Sequence, residues 1–437
     1  MGVSAVVSLP GAPLRGHRPP ARLCRGIHRG RGGARRAGLL GLDRDGHRPQ
    51  GRSGSYHRLP RVHRCDAPGT RPPRHRLNRT PLPIVAHNDL PAFERLREEG
   101  QNILPSDRAI AQDIRELHIG LLNMMPDAAL AATERQFFRL VGQSNQIAQF
   151  YVHPFSLQEL PRSAQAQAHI ARWYEPFAQV REQGLDALII TGANVAGPDI
   201  AREPFWRPLM EVVDWACESV TSTLCSCLAT HAVMQFRYGQ PRQPLGFKRW
   251  GVYAHRVVDR AHPLVTSVNT LFDVPHSRFN EVSREQFDAA GARVLVESET
   301  AGVHLAVSGD GLRLVMFQGH PEYDTVSLLK EYKREVTRFA AGARPDYPPF
   351  PENIFSRKTA AVLDEHRHML ERELDRGRRP PDLPEARIAA TLDNTWRDTA
   401  EGVIGNWLGL IYRVTNNDRR IPFMAGVDPD DPLGLRR

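Results

Sequence analysis

Alternation constrains this chain more than any other feature: beyond residue 82, short apolar runs of strand length alternate with amphipathic stretches of helical length. Glu116–Met124 (ELHIGLLNM) and Gln149–His153 read as strands, with a helical stretch, Leu130–Val141, between them. Leu185–Ile190 is an apolar run that stops at Thr191-Gly192, followed by helical Phe205–Glu218. Ser219–Leu224 then runs into Cys225-Ser226-Cys227 and a helix-compatible Leu228–Phe236. Gly251–Val257, Ala292–Glu297, Val303–Val307 and Leu312–Phe317 are further strand candidates. Thr325–Ala340, Lys358–Arg376 and Glu385–Tyr412 read as helices, the last two separated by Pro380, Pro381 and Pro384. Strands alternating with helices require crossover connections, so the expected class is α/β: a mostly parallel sheet flanked by helices. Ligands of such sheets gather outside the carboxyl ends of the strands.

The formal charge of +9 invites a nucleic-acid reading, but its distribution argues otherwise. Residues 1–80 hold 18 Arg, no Lys and three acids, with 13 Gly and 9 Pro, and carry +15. The remaining body has 40 basic against 46 acidic side chains and is mildly acidic. Segment 1–80 is too poor in apolar residues to offset its chain entropy and is expected to be disordered. It is open to two readings, an RNA- or membrane-seeking tail or translated non-coding sequence ahead of a true start, and we favour the second. Nowhere do about 18–20 uninterrupted apolar residues occur, so no membrane span is expected. Five cysteines in no repeating pattern (Cys24, Cys65, Cys217, Cys225, Cys227) do not suggest a disulfide framework and fit a reducing, cytoplasmic compartment.

Three features sit at expected strand ends. Cys227 stands where an apolar strand gives way to a helix. A thiol there feels the positive end of the backbone dipole, and the same turn aims amides at an oxyanion. Plain packing is the bland alternative, and it is the role expected of Cys225 inside the strand. Gln318-Gly319-His320-Pro321-Glu322 follows the apolar LRLVMF. Residues i and i+2 of an extended segment share a side, so Glu322 can orient His320 as a general base. Lys248, Ser277, Arg278 and Arg334 are polar groups in apolar or aromatic company, each readable as ordinary solvated surface. Cys225-Ser226-Cys227 has one residue between thiols and no second Cys pair, so no metal site is expected, and no Gly-rich phosphate loop calls for a nucleotide cofactor.

Five segments, SVTSTLCSCLATHAVMQFRYG, KRWGVYAH, VPHSRF, QGHPEYD and NTWRDTAEGVIGNWLGLIY, together resemble the homoserine O-succinyltransferase family, in order, over residues 82–415. The resemblance implies a catalytic domain over 82–415 with a C-terminal tail, 416–437, and a class I glutamine-amidotransferase-like, flavodoxin-like three-layer sandwich. It also implies a homodimer that uses succinyl-CoA as co-substrate, with no cofactor, to acylate L-homoserine in methionine biosynthesis. By the same resemblance Cys227 matches the acyl-accepting nucleophile, His320 the proton acceptor and Glu322 its orienting carboxylate. Lys248, Ser277 and Arg334 match substrate-binding positions 21, 50 and 107 residues after Cys227. Leu228 and His231 depart from the family's usual Trp and Gln, and NMMPDAALAATERQ has two extra residues and no Lys after its Pro. Ala196 is small where acetyl-specific members carry Glu, which favours the longer, anionic succinyl group. Rival expectations are an acetyl donor, a serine acceptor, a glutaminase on the same fold, and an inactive core presenting a nucleic-acid-binding tail.

Overall fold

A computed structural model of the chain describes residues 84–436 apart from 102, 112–113, 145–147, 196 and 198. Segment 1–80 and Ala196 therefore lie outside the described residues. The strands are β1 Ile84–Ala86, β2 Ile103–Pro105, β3 Glu116–Leu122, β4 Gln149–Phe155, β5 Ala187–Ile190, β6 Ser222–Ser226, β7 Gln243–Val257, β8 Leu271–Glu281, β9 Arg293–Ser298, β10 Gly302–Val307 and β11 Leu314–Phe317. The helices are α1 Pro91–Glu98, α2 Ser106–Ile110, α3 Asp127–Ser144, α4 Ala164–Trp173, α5 Phe177–Gln183, α6 Trp206–Ser219, α7 Leu228–Tyr238, α8 Arg284–Ala289, α9 Ser327–Ala340, α10 Arg357–Asp375, α11 Glu385–Ala389 and α12 Arg397–Val414.

Among the described residues all eleven strands join one sheet in the order β2-β1-β4-β3-β5-β6-β11-β10-β9-β7-β8. From β2 to β11 every neighbouring pair is parallel. From β11 to β8 the pairs are antiparallel. Both faces of the parallel part are covered, which is why its strands read as near-continuous apolar runs. Their period of two divides them between two cores: Ile189, Leu224, Val315 and Phe317 pack with α3 and α12, while Leu188, Ile190, Cys225 and Met316 pack with α6 and α7. A third core joins Trp250 and Val252 of β7 to Leu329, Tyr332 and Val336 of α9 and to Leu363 and Leu370 of α10.

Three segments differ from expectation. VPHSRF lies in β8, a strand the sequence pattern does not announce, because it pairs on the sheet edge with Pro275 inside it. The expected helix over 385–412 is split, because the Asn394 side-chain oxygen accepts from the Arg397 amide at 2.9 Å and begins α12 afresh. The segment after α12 folds back on the body: Phe423 is buried in the first core, and the Met424 amide donates to the Val414 carbonyl at 2.9 Å. Among the described residues no helix is long and apolar enough to cross a membrane.

Candidate active site

Parallel pairing of β6 with β11 places Ser226 opposite Phe317, so the chain leaves both strands at the same carboxyl edge. Cys227 follows β6 and the Gln318–Glu322 segment follows β11. The Cys227 amide donates to the Phe317 carbonyl at 2.8 Å, tying the two exits together. Cys227 is the N-cap of α7 with φ of 51° and ψ of −106°, a conformation costly for a residue with a Cβ. Leu228, the first helical residue after it, has no carbonyl one turn back within the helix, so its amide belongs to the orphan donors of a helix start. Gly192, after β5, packs close by: a Cβ there would lie 3.8 Å from that of Cys227 and 3.6 Å from Met125 Sδ. Cys227 is half-buried, whereas Cys225 is fully enclosed and burial pushes its thiol up.

His320 and Glu322 share a side of their segment, with His320 Nδ1 2.8 Å from Glu322 Oε1. The His320 amide donates to the Pro275 carbonyl of β8 at 2.9 Å, and its ring stacks on Tyr323 with centroids 4.3 Å apart. Burial opposes the imidazolium, but the Glu322 carboxylate and then the Cys227 sulfur outweigh it and hold the His320 pKa well above its ordinary value. Arg278 and Arg242 lie within Coulombic reach of the same sulfur. Burial lowers both guanidinium pKa values, that of Arg278 to about 10. Arg278 is buried, donates to the Ala301 carbonyl at 2.6 Å and pairs with Glu281.

Lys248 and Ser277 meet through a residue the sequence reading missed. Glu331 Oε2 accepts from Lys248 Nζ at 3.1 Å and from Ser277 Oγ at 2.6 Å, while its Oε1 accepts from the Tyr323 hydroxyl at 2.8 Å. Since Tyr323 stacks on His320, this network is continuous with the imidazole. Burial pushes the Lys248 pKa down despite Glu331, and Lys248 Nζ also sits 3.9 Å from the centre of the Trp250 ring. Arg334 stands one helical turn beyond Glu331, exposed, with Glu335 3.7 Å away and within Coulombic reach of Lys248. The structure thus brings together Cys227, His320 and Glu322, links Lys248 and Ser277 to them through Glu331 and Tyr323, and leaves Arg334 at the rim. Glu331, Tyr323 and Arg242 lacked any local signal except that Tyr323 lies in QGHPEYD.

Residues 83–417 match the family model described as homoserine O-succinyltransferase. The homoserine O-succinyltransferase of Allochromatium vinosum is 73% identical over 354 residues, which is 81% of this chain and 99% of the relative. That of Thioalkalivibrio nitratireducens is 66% identical over 356 residues, 82% of this chain and 100% of the relative. The chain belongs to the homoserine O-succinyltransferase family. Among solved structures, a glutamine amidotransferase from Thermotoga maritima aligns with 68% of this chain and 97% of its own at 11% identity and a TM-score of 0.38.

Against the family pattern, the two departures beside Cys227 are absorbed by packing and hydrogen bonding. Leu228 is buried in the core beneath α7. His231 Nε2 lies 3.1 Å from Gln318 Oε1, and burial lowers its pKa to about 3, so it is neutral. Gln318 also donates to the Val282 and Val303 carbonyls at 3.0 and 2.8 Å, which fixes the start of the His320 segment. In NMMPDAALAATERQ, Glu134 accepts from the Tyr174 hydroxyl at 2.6 Å and Gln136 donates to Ser327 Oγ at 2.9 Å. The neighbouring Arg135 and Arg139 grip Asp324, the last residue of QGHPEYD. This family segment therefore braces the His320 loop from beneath. Arg162 holds the Met125 and Asn123 carbonyls of the same loop.

Proposed function

We propose that this chain transfers the succinyl group of succinyl-CoA to the γ-hydroxyl of L-homoserine through a thioester on Cys227. The observation that carries the reading is the joint exit of β6 and β11: a cysteine on a strained helix cap beside an imidazole whose far nitrogen faces a buried carboxylate. Cys227 Sγ attacks the thioester carbonyl, the Leu228 amide and the backbone at Gly192 receive the oxyanion, and His320 returns its proton to the departing CoA sulfur. The homoserine hydroxyl then attacks the acyl carbon while neutral His320 takes its proton, and collapse expels Cys227 thiolate beside the restored imidazolium. Glu322 steadies that cation at both stages. Arg242 and Arg278 add positive charge around the sulfur. Lys248 and Ser277, held by Glu331, and Arg334 at the rim offer cations and a hydroxyl to the carboxylates of the two substrates.

Intact-mass measurement after mixing with succinyl-CoA tests the covalent step. The native chain should gain one succinyl group and lose it when homoserine is added. Cys227→Ala should gain none. His320→Ala should retain the label while transfer to homoserine slows by about 10² to 10⁴. A succinylated Cys227→Ala chain would refute the nucleophile. Equal competition between acetyl-CoA and succinyl-CoA would refute the donor inferred from Ala196, and preferential acylation of serine would refute the acceptor. A homodimer in the cytoplasm belongs to the same proposal, and sizing to the mass of a single 49.1 kDa chain would remove the dimer from it.

A further inference from the structure

A second cluster of chemically capable side chains lies on another part of the sheet. His87 follows β1, His153 is in β4 and Glu175 follows α4. One ligand atom from each of these residues lies within 4.8 Å of the others. The sheet order puts β3 and β5 between β4 and β6, so this cluster is separate from the Cys227 edge. We propose that His87, His153 and Glu175 form a binding site for a first-row divalent cation of the zinc type, serving to clamp the segment after α4 onto the sheet.

The hydrogen bonding around the cluster points to a cation. His87 Nδ1 lies 3.3 Å from the Val85 carbonyl and donates to it, which leaves Nε2 with its lone pair free. That nitrogen is buried and has no hydrogen-bond partner among the described residues. An imidazole oriented through one nitrogen by a backbone carbonyl, with the other nitrogen free, is the usual posture of a metal-ligating histidine. Next to it runs a chain of contacts: Glu116 Oε2 to His118 Nε2 at 3.4 Å, His118 Nδ1 to His153 Nε2 at 2.9 Å, and His153 Nδ1 to Glu175 Oε1 at 2.5 Å. The last of these sets the Glu175 carboxylate against His153, and His87 offers a ligand atom within 4.8 Å of both. A cation held between His87, His153 Nδ1 and Glu175 would take the place of the hydrogen on that last contact. His153 Nε2–H would then donate to His118, the outer partner that fixes the ligating ring.

Two imidazoles and a carboxylate suit zinc, with a fourth position open to water. A tetrahedral ion with bonds of about 2.0–2.2 Å spaces its donors roughly 3.3 Å apart, so His153 Nδ1 and Glu175 Oε1, now 2.5 Å apart, would separate slightly to admit it. His87 and Glu175 are both half-buried, so an ion can enter from solvent.

Zinc titration of the full-length, tag-free chain, stripped with a chelator and read against a chromophoric competitor, tests the site. His87→Gln and Glu175→Gln should each take up one equivalent fewer than the native chain. Cys227→Ala should keep that equivalent, and His118→Gln should weaken it by roughly 10–100-fold without abolishing it. Cobalt in place of zinc should give visible absorption of tetrahedral intensity that His87→Gln lacks. Should His87→Gln fold poorly by circular dichroism, Glu175→Gln decides alone. Uptake identical in the native chain and Glu175→Gln, or loss of the equivalent in Cys227→Ala, overturns the proposal.

Discussion

Glu322→Gln isolates one charge. Glu322 Oε1 lies 2.8 Å from His320 Nδ1, both side chains are less than a tenth exposed, and Glu322 Oε2 has no hydrogen-bond partner among the described residues. A glutamine can therefore keep its oxygen on the imidazole N–H and place its amide where Oε2 now stands, so tautomer and ring position survive. What disappears is the ionic part of a shielded, charge-assisted hydrogen bond, worth about 1.5–3 kcal/mol. At 1.36 kcal/mol per decade, acyl transfer should fall between about tenfold and about 10²-fold, no more than the smallest loss expected from removing His320 itself. Unfolding gives an orthogonal readout. The folded pKa of His320 is raised above the ordinary 6.5, so its contribution to stability is fully present below about pH 6.5 and is lost as pH rises through the folded value. Glu322→Gln should flatten that decline, measured by urea unfolding on both sides of the window, and slow transfer, measured by quenched-flow mass analysis. Transfer within about twofold of the native rate with an unchanged pH dependence of unfolding would refute the counter-ion role.

Glu331→Ala strips the buried partner from Lys248, Ser277 and Tyr323 at once; unfolding in urea should show a loss of about 3–5 kcal/mol, accompanied by a higher KM for substrate. An unchanged KM would detach this network from substrate binding. On α12, two glycines predict opposite outcomes. Gly405→Ala drives a Cβ to 2.3 Å from the Ser144 carbonyl oxygen of α3, which should cost about 1–3 kcal/mol and lower Tm. Gly409→Ala meets nothing within 4 Å and should stabilise the helix by about 0.5–1 kcal/mol. Equal Tm values for the two variants would contradict the packing of α12 on α3.

What the sequence made legible divides along a physical line. Cys227 and the His320–Glu322 pair could be placed before any coordinates because each sits where a both-faces-buried apolar run stops, and parallel pairing of such runs sends their carboxyl ends to one edge. Glu331 could not, since it is one of six charged side chains on the helix α9, and its role exists only through the antiparallel register that sets Trp250 opposite Ser277. That register was hidden because β8 is an edge strand interrupted by Pro275, with no clean alternation to announce it. His87, His153 and Glu175 escaped for a related reason. A search for metal ligands along the chain looks for short spacings, whereas these three come from the ends of two strands and a helix and share no motif. Local chemistry is readable wherever the backbone itself brings the groups together, as with residues i and i+2 of one extended segment. Groups assembled by strand order become visible only with the sheet, and in this chain the network behind His320 and the cluster beside β4 are both of that second kind.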